Sequence, residues 1–217
     1  MNKLYSALLV VILLFISCAQ FGTKIEIQKP EVFKRTEQLV VWPTRVYPMY
    51  TPPENQDPET VDLLMNSDPD FYDLSERLSR EADYHLYHEI EQSNLFKIVD
   101  PDSVLKTIQV NGAVFDRFGP TNNWYSYIDQ CSYDAVLVTD IYFGREGEKG
   151  INTYVIMKLF QCRTGAMISK IKFDTHWGKS YLFEQHALVT LPDAVKGAVN
   201  GLIKAYRQNQ ADDKSSN

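Results

Sequence analysis

The sequence predicts an α/β fold of the α+β kind: a mixed sheet that contains an antiparallel three-stranded meander, with helices packed on it. Two observations predict this fold. A strand, a helix and a second strand follow one another over residues 38–100, and three strand-like segments with short connections follow over residues 134–174. Helices placed between and after such strands cover the sheet in layers. We therefore expect a single α/β domain over residues 38–207.

Two short apolar segments predict the first strands. The sequence QLVVWP, residues 38–43, has four apolar residues before a proline and is typical of a buried strand. Residues 44–60 contain four prolines and predict an irregular loop. The segment LFKIVD, residues 95–100, predicts the second strand. Short helices are predicted at 101–108 and 124–130.

A long amphipathic helix is predicted between these strands. Its apolar residues recur every four positions from Leu74 to Ile90, which places them on one face of a helix. Asp68 and Pro69, or Asp73, suit its first turn, and it should end near residues 92–94.

The meander is predicted from three strand-like segments joined by a charged turn at residues 145–150 and a tight turn at residues 162–165. Gly165 stands where a positive φ is easiest to adopt. Short connections join neighbouring antiparallel strands. The three strands are residues 134–144, 151–161 and 166–174.

The last predicted element is an amphipathic helix that begins at Pro192 and Asp193, because proline is favoured in the first turn. Gly197 and Gly201 lie inside it, and each costs a helix about 1 kcal/mol relative to alanine. We interpret them as allowing a close approach to the sheet. The polar residues 208–217 predict a flexible tail.

The first residues carry a targeting signal. Lys3 precedes an unbroken apolar run from Ala7 to Ile16, too short for a helix that spans a bilayer, which needs roughly 20 residues. The run ends in Phe15-Ile16-Ser17-Cys18, which resembles the bacterial lipobox. The resemblance implies a lipoprotein signal peptide over residues 1–17 and acylation of Cys18, with palmitate among the acyl chains, followed by a lipidated tether over residues 18–37. A transmembrane anchor with an incidental cysteine is the alternative.

Composition excludes several classes of protein. The net charge of −6 argues against nucleic-acid binding, and 44% hydrophobic with 12% aromatic residues argues against disorder. Neither a P-loop nor a G-x-G-x-x-G motif occurs, so we expect no cofactor.

Cys131 and Cys162 are a candidate disulfide. If the strands on either side of residues 145–150 pair directly, residue 162 lies opposite about residue 133, two positions from Cys131. A bond closing a loop of this size would contribute about 3–4 kcal/mol. Two buried thiols are the alternative.

His85, His88 and Glu89 are candidate metal ligands, because residues three and four apart share a helix face. A polar shoulder of the helix is the alternative. Asp134, Asp140, Asp174 and His176 lie on or beside neighbouring predicted strands, and an Asp–His pair next to Ser180 suggests a periplasmic hydrolase. No G-x-S-x-G nucleophile elbow occurs, so no catalytic residue is predicted and we expect no enzyme.

Aromatic residues are frequent in the middle of the chain, where they would fill the core or form a protein-binding surface. They are Tyr47, Tyr50, Phe71, Tyr72, Trp124, Tyr125 and Tyr127.

The ordered set of motifs resembles a superfamily of bacterial envelope domains. The motifs are QLVVWP, NLFKIVDPDSV, CSYDAVLVTDI and QCRTGAMISKIKFD, within residues 38–206. The superfamily includes the TolB amino-terminal domain, the curli-secretion lipoprotein and the penicillin-binding-protein activator lipoproteins. The resemblance implies a non-enzymatic domain that binds other envelope proteins.

Together these observations predict a non-catalytic outer-membrane lipoprotein that faces the periplasm and acts in envelope assembly or transport. Ala19, which follows the lipobox cysteine, favours the outer membrane by resemblance to Gram-negative lipoproteins. The expected partners are the membrane, through the lipid, and an envelope protein; a homo-oligomer is left open. A secretion-channel subunit and a periplasmic hydrolase are the alternatives.

Overall fold

The computed structural model describes residues 22–47, 69–99, 106, 115–116, 119–120, 133–145, 151–176 and 183–214. These residues form a seven-stranded mixed sheet with helices packed on it, and a separate two-stranded ribbon. The predicted α/β fold is confirmed. The strands are β1 (Gly22–Ile27), β2 (Gln38–Val41), β3 (Arg45–Tyr47), β4 (Lys97–Val99), β5 (Phe115–Asp116), β6 (Gly119–Pro120), β7 (Ala135–Arg145), β8 (Ile151–Gln161) and β9 (Met167–His176). The helices are α1 (Pro30–Lys34), α2 (Pro69–Ser93) and α3 (Phe183–Lys214).

The sheet has the strand order β1-β9-β8-β7-β2-β4, and β3 pairs with β7 beyond the end of β2. The strands β7, β8 and β9 form the predicted antiparallel meander, and β1 adds to its edge antiparallel to β9. In contrast, β2 and β3 run parallel to β7, and β4 runs parallel to β2. The sheet is therefore mixed, as expected.

The helices α2 and α3 cover one side of the sheet, the helix face. Their buried residues join those of β2, β7, β8 and β9 in one hydrophobic core. Along α2 the predicted stripe is confirmed, since Leu78, Ala82, Leu86 and Ile90 are buried. Helix α2 ends where Asn94 adopts a positive φ of 53°, a conformation typical of a helix C-terminus.

Helix α3 begins nine residues earlier than predicted. It starts at Phe183 and contains Pro192 in its interior, so the prediction that Pro192 begins the helix was wrong. A proline inside a helix costs about 3 kcal/mol, because it removes a backbone hydrogen bond. Ala187 and Leu191 are fully buried and extend the apolar stripe ahead of Pro192, and their burial offsets that cost.

The predicted flexible tail also differs from the structure, because α3 continues to Lys214. The side-chain amide of Asn209 donates to the carbonyl of Pro30 at 3.2 Å, and that of Gln210 donates to the carbonyl of Lys34 at 2.8 Å. These contacts give the polar residues after position 207 a partner in α1, which the sequence pattern does not reveal. Residues 215–217 lie outside the described residues.

The described part of the predicted tether belongs to the folded domain. Strand β1 pairs with β9 from Gly22 opposite Asp174 to Ile27 opposite Ser169, and α1 buries Phe33 completely. The prediction of a tether was therefore wrong for residues 22–37. Charged residues alternate with isoleucine in β1, a pattern typical of an edge strand with one buried side.

Strand β3 occupies the start of the predicted loop. Arg45 lies opposite Asp140 and Tyr47 opposite Tyr142 on β7, so the loop prediction was wrong for residues 45–47. Residues 48–60 lie outside the described residues. So do the predicted helices at 101–108 and 124–130, apart from Lys106, which is helical. In the described part of the chain, none of the helices has the length and apolarity needed to span a membrane.

Candidate functional site

A cleft of about 400 Å³ opens at the end of the sheet where β8 ends and β7 begins, beside α1. Most of its lining side chains are polar, which distinguishes it from the apolar helix face. The cleft is lined by Glu31, Val32, Arg35, Thr36, Tyr133, Asp134, Gln161 and Arg163.

Asp134 fixes one wall of the cleft. Its Oδ2 accepts hydrogen bonds from the backbone N–H groups of Glu37, at 2.9 Å, and Gln38, at 2.8 Å. The backbone N–H of Cys162 donates to the carbonyl of Asp134 at 3.2 Å. Asp134 thus ties the starts of β2 and β7 to the end of β8. Because its Oδ2 is engaged by these two amides, Asp134 helps to position this wall.

A rigid turn presents Arg163. Gly165 adopts a φ of 62°, as the predicted turn requires, and its N–H donates to the carbonyl of Gln161 at 2.9 Å. The hydroxyl of Thr164 donates to the side-chain oxygen of Gln161 at 2.8 Å and accepts from the N–H of Ala166 at 3.3 Å. These bonds hold the turn between β8 and β9 and so fix the backbone that carries Arg163.

The guanidinium groups of Arg35 and Arg163 are available to a ligand. Both side chains are exposed, and within the described part of the chain neither guanidinium has a hydrogen-bond or ion-pair partner. The nearby carboxylate of Glu31 is paired with Lys34 at 3.1 Å. An arginine guanidinium binds carboxylate or phosphate oxygens through two parallel hydrogen bonds. The cleft therefore combines two available cationic donors with carboxylates that already have partners.

A buried charge network lies on the other side of the sheet, the second face, which is opposite α2 and α3. Asp140 is 2% exposed and accepts from Arg45 Nε at 3.0 Å and from Lys158 Nζ at 3.3 Å. Burial lowers the pKa of Arg45, but Asp140 and the neighbouring tyrosines outweigh that effect and raise it overall. Burial, with Asp140 second, raises the pKa of Tyr142. Asp140 is thus a structural ion-pair residue.

The candidate metal ligands have separate partners. His85 Nε2 lies 3.2 Å from Glu81 Oε1, His88 Nε2 lies 2.9 Å from Gln92 Nε2, and Glu89 faces Lys196 at 3.9 Å. Among the described residues, no three His, Cys, Asp or Glu side chains converge as a metal site. Each of the three side chains therefore has its own polar neighbour, and a metal site at these residues stays a prediction.

The candidate disulfide stays a prediction. Cys162 is 1% exposed, and Cys131 lies outside the described residues. Ala135 pairs with Gln161, so position 162 lies opposite position 134, three residues after Cys131 instead of the two predicted.

Cys18 and Ser180 also lie outside the described residues. Asp174 and His176 are two apart on β9, and Asp174 lies opposite Tyr154.

Of the aromatic residues predicted to fill the core or bind a partner, Tyr47 stacks on Tyr142 with ring centroids 4.8 Å apart. The side chains of the other six lie outside the described residues.

Sequence reasoning missed Arg35 and Arg163 as site residues. The turn CRTG contains Arg163 and was recognised as a turn, but α1 was predicted as tether, so nothing indicated that the two arginines share a cleft.

Comparison with known proteins found similar solved structures only. No family model and no curated protein matches the chain. A PelC dodecamer from Paraburkholderia phytofirmans is 9% identical, with a TM-score of 0.38, over 82% of this chain and 97% of that one.

Two further solved structures have similar scores. The LpoB C-terminal domain from Salmonella enterica is 14% identical, with a TM-score of 0.36, over 65% of this chain and 83% of that one. Lipoprotein GNA1162 from Neisseria meningitidis is 16% identical, with a TM-score of 0.33, over 71% of this chain and 92% of that one.

Proposed function

We propose that the protein is a non-catalytic lipoprotein, attached to the outer membrane through Cys18 and facing the periplasm, whose domain binds an envelope protein in the cleft. The observation that carries the proposal is the pair of available guanidinium groups, Arg35 and Arg163, at a cleft whose carboxylates already have partners. A carboxylate on the partner, either an acidic side chain or a chain terminus, fits such a pair.

The position of the cleft supports this role. Gly22 is four residues from Cys18 and lies level with Tyr154 of β8, since both are aligned with Asp174. Gln161, which lines the cleft, is seven residues further along β8, a separation of about 24 Å at 3.4 Å per residue. If the lipid is attached to Cys18, the cleft is therefore at the opposite end of the sheet from the anchor.

The roles of the acidic residues support a non-catalytic domain. Asp134 holds two backbone amides, and Asp140 holds Arg45 and Lys158. Each of these carboxylates has a structural partner that accounts for its position. The architecture of the sheet therefore explains two of the acidic residues that were considered for a hydrolase, Asp134 and Asp140.

Cross-linking in intact cells tests the cleft. A benzoylphenylalanine at Tyr133, which lines the cleft, should capture one specific envelope protein. The matched control replaces Tyr84, which is 65% exposed on α2, and should not capture that protein. Equal capture from both positions, or none from Tyr133, would contradict the proposal.

Charge reversal makes the test specific to the arginines. The Arg35→Glu/Arg163→Glu variant should lose the cross-link from Tyr133. The Lys204→Glu/Arg207→Glu variant makes the same change in charge at exposed positions of α3 and should keep the cross-link from Tyr133.

The anchor is tested separately: radioactive palmitate should label the wild-type chain and not the Cys18→Ser variant.

A further inference from the structure

Four lysines form a continuous patch on the second face of the sheet. Lys24 on β1 lies directly opposite Lys172 on β9, and Lys170 on β9 lies directly opposite Lys158 on β8. Lys170 and Lys172 are two residues apart on one strand, so they point to the same side. We call Lys24, Lys158, Lys170 and Lys172 the lysine patch.

The patch concentrates positive charge on an acidic protein. Like charges placed directly opposite each other on neighbouring strands are destabilising, and the patch contains two such pairs. Among the residues that the structure describes, the four lysines and Arg45 outnumber by two the carboxylates on this face, which are Glu26, Asp140 and Asp174. The chain as a whole carries a net charge of −6. An anionic ligand would relieve this local repulsion.

The side chains of these lysines are at least partly exposed. The side chain of Lys24 is 72% exposed and contacts Glu26 at 3.2 Å. Lys158, Lys170 and Lys172 are half-buried, and Lys158 contacts Asp140 at 3.3 Å. Partly exposed lysines can extend their charge toward an anionic surface.

The patch lies near the point where the chain leaves the sheet toward Cys18. The four residues from Cys18 to Gly22 span at most about 14 Å when extended. Lys24 is two residues further along β1, and Lys172 is beside it. A membrane that holds a lipid on Cys18 is therefore within reach of this part of the second face.

From these observations we propose that the lysine patch binds the anionic headgroups of the membrane surface. The proposal rests on the proposed lipid anchor for its geometry, since the short connection between Cys18 and β1 brings the patch to the bilayer. The patch would also orient the sheet, with the cleft directed away from the membrane.

Vesicle binding tests the patch independently of the anchor. The full chain carrying Cys18→Ser, which cannot be acylated, is sedimented with vesicles of phosphatidylcholine alone or with 30% phosphatidylglycerol. Any binding by the apolar leader is common to both vesicles, so the difference between them reports the electrostatic contribution. We expect tighter binding to the anionic vesicles, weakened by raising the salt concentration.

Paired substitutions then locate the effect. The Lys24→Gln/Lys172→Gln variant should bind anionic vesicles about 25-fold more weakly, at about fivefold per lysine. The Lys97→Gln/Lys204→Gln variant removes two exposed lysines elsewhere and should bind as the parent chain does. The first variant relieves repulsion between opposed lysines, so we expect it to fold, and circular dichroism verifies that.

The remaining outcomes overturn the proposal. Equal losses in the two variants would show a general effect of charge, and a parent chain without preference for anionic vesicles would exclude a headgroup site. The Lys24→Gln/Lys172→Gln variant could instead bind vesicles unchanged but lose a cross-link, formed in cells, to an acidic protein. That result would assign the patch to a protein partner instead. Absence of palmitate on the wild-type chain would refute the anchor and leave the vesicle result to judge the patch.

Discussion

Gly197 of α3 lies against the ring of Phe173 of β9. A Cβ atom at position 197 would come 2.1 Å from Phe173 Cζ, far inside van der Waals contact. At Gly201, one turn further along the helix, a Cβ atom would come 2.8 Å from the methyl group of Thr23 and 3.4 Å from Ile171 Cγ2. Both glycines therefore allow α3 to approach the sheet closely, as the sequence predicted.

Gly197→Ala should destabilise the protein despite the higher helix propensity of alanine. Overpacking costs about 1–3 kcal/mol, and the propensity gain is about 1 kcal/mol. Because Phe173 is itself buried and cannot swing away into solvent, we expect the overpacking cost to be near the top of this range, which gives a net loss of about 2 kcal/mol in the free energy of unfolding. Denaturation by urea measures this value.

The neighbouring glycine and an exposed residue supply the controls. Gly201→Ala should cost less than Gly197→Ala, because its contact is with a methyl group at a longer distance. Val189→Ala, at a position 70% exposed on the same helix, should change the stability by less than about 0.5 kcal/mol. A Gly197→Ala protein as stable as the wild type would show that α3 can shift away from β9.

The glycines illustrate what the sequence could predict. Two glycines inside an amphipathic helix are unfavourable unless the helix packs closely on another element, so the sequence alone predicts the close approach. The alternation of apolar and polar residues, together with the turn residues, likewise predicts the meander. In contrast, α1 and the last turns of α3 have little apolar periodicity of their own. Each depends on contacts with the other, such as Gln210 with the carbonyl of Lys34. Such long-range pairing leaves no local signal in the sequence.

The cleft could not be predicted for the same reason. Arg35 and Arg163 are separated by more than 120 positions, and they line one cleft only because Asp134 joins β2, β7 and the end of β8. The lysine patch is similar: Lys24 meets Lys172 through the pairing of β1 with β9, and β1 was expected to be a tether. Charged residues reveal a surface only when the strand order is known.

Tyr206→Phe tests the attachment of α1 to α3. The hydroxyl of Tyr206 donates to the carbonyls of Thr36, at 3.0 Å, and Lys34, at 3.2 Å, and its ring packs edge-on against Phe33. Removing the hydroxyl leaves these carbonyls without that donor, so we expect a loss of about 1–2 kcal/mol. Hydrogen exchange should accelerate in residues 30–36. Tyr84→Phe, at an exposed position, should affect neither quantity, and unchanged exchange in Tyr206→Phe would show that α1 is held by packing alone.

Asp140→Asn tests the buried ion-pair network. The substitution leaves Arg45 and Lys158 without their common counter-ion, but both are about one-third exposed, so solvent reduces the cost. We expect a loss of about 1–3 kcal/mol in unfolding free energy. Lys158→Met leaves the contact between Asp140 and Arg45 intact and should cost less. If Lys158→Met is the more damaging change, Lys158 and not Arg45 is the principal partner of Asp140.

Asp83 on α2 should make stability depend on pH. Its Oδ1 accepts the backbone N–H of Thr44 at 2.8 Å, but burial dominates and raises the pKa of Asp83 from 3.8 to about 6. The folded protein then keeps this proton to a higher pH than the unfolded chain does. The stability that Asp83 contributes is complete below about pH 4 and is lost as the pH rises through about 6.

Asp83→Asn removes this dependence, because an amide oxygen can still accept the N–H of Thr44 and has no charge to bury. We expect the variant to match the wild type near pH 4 and to be more stable at pH 7.5, by up to about 3 kcal/mol for a pKa difference of two units. Urea denaturation at the two pH values measures both differences. A variant less stable than the wild type at pH 7.5 would show that the ionised carboxylate is stabilised where it lies, because a charge-assisted hydrogen bond from Thr44 would then outweigh the cost of burial.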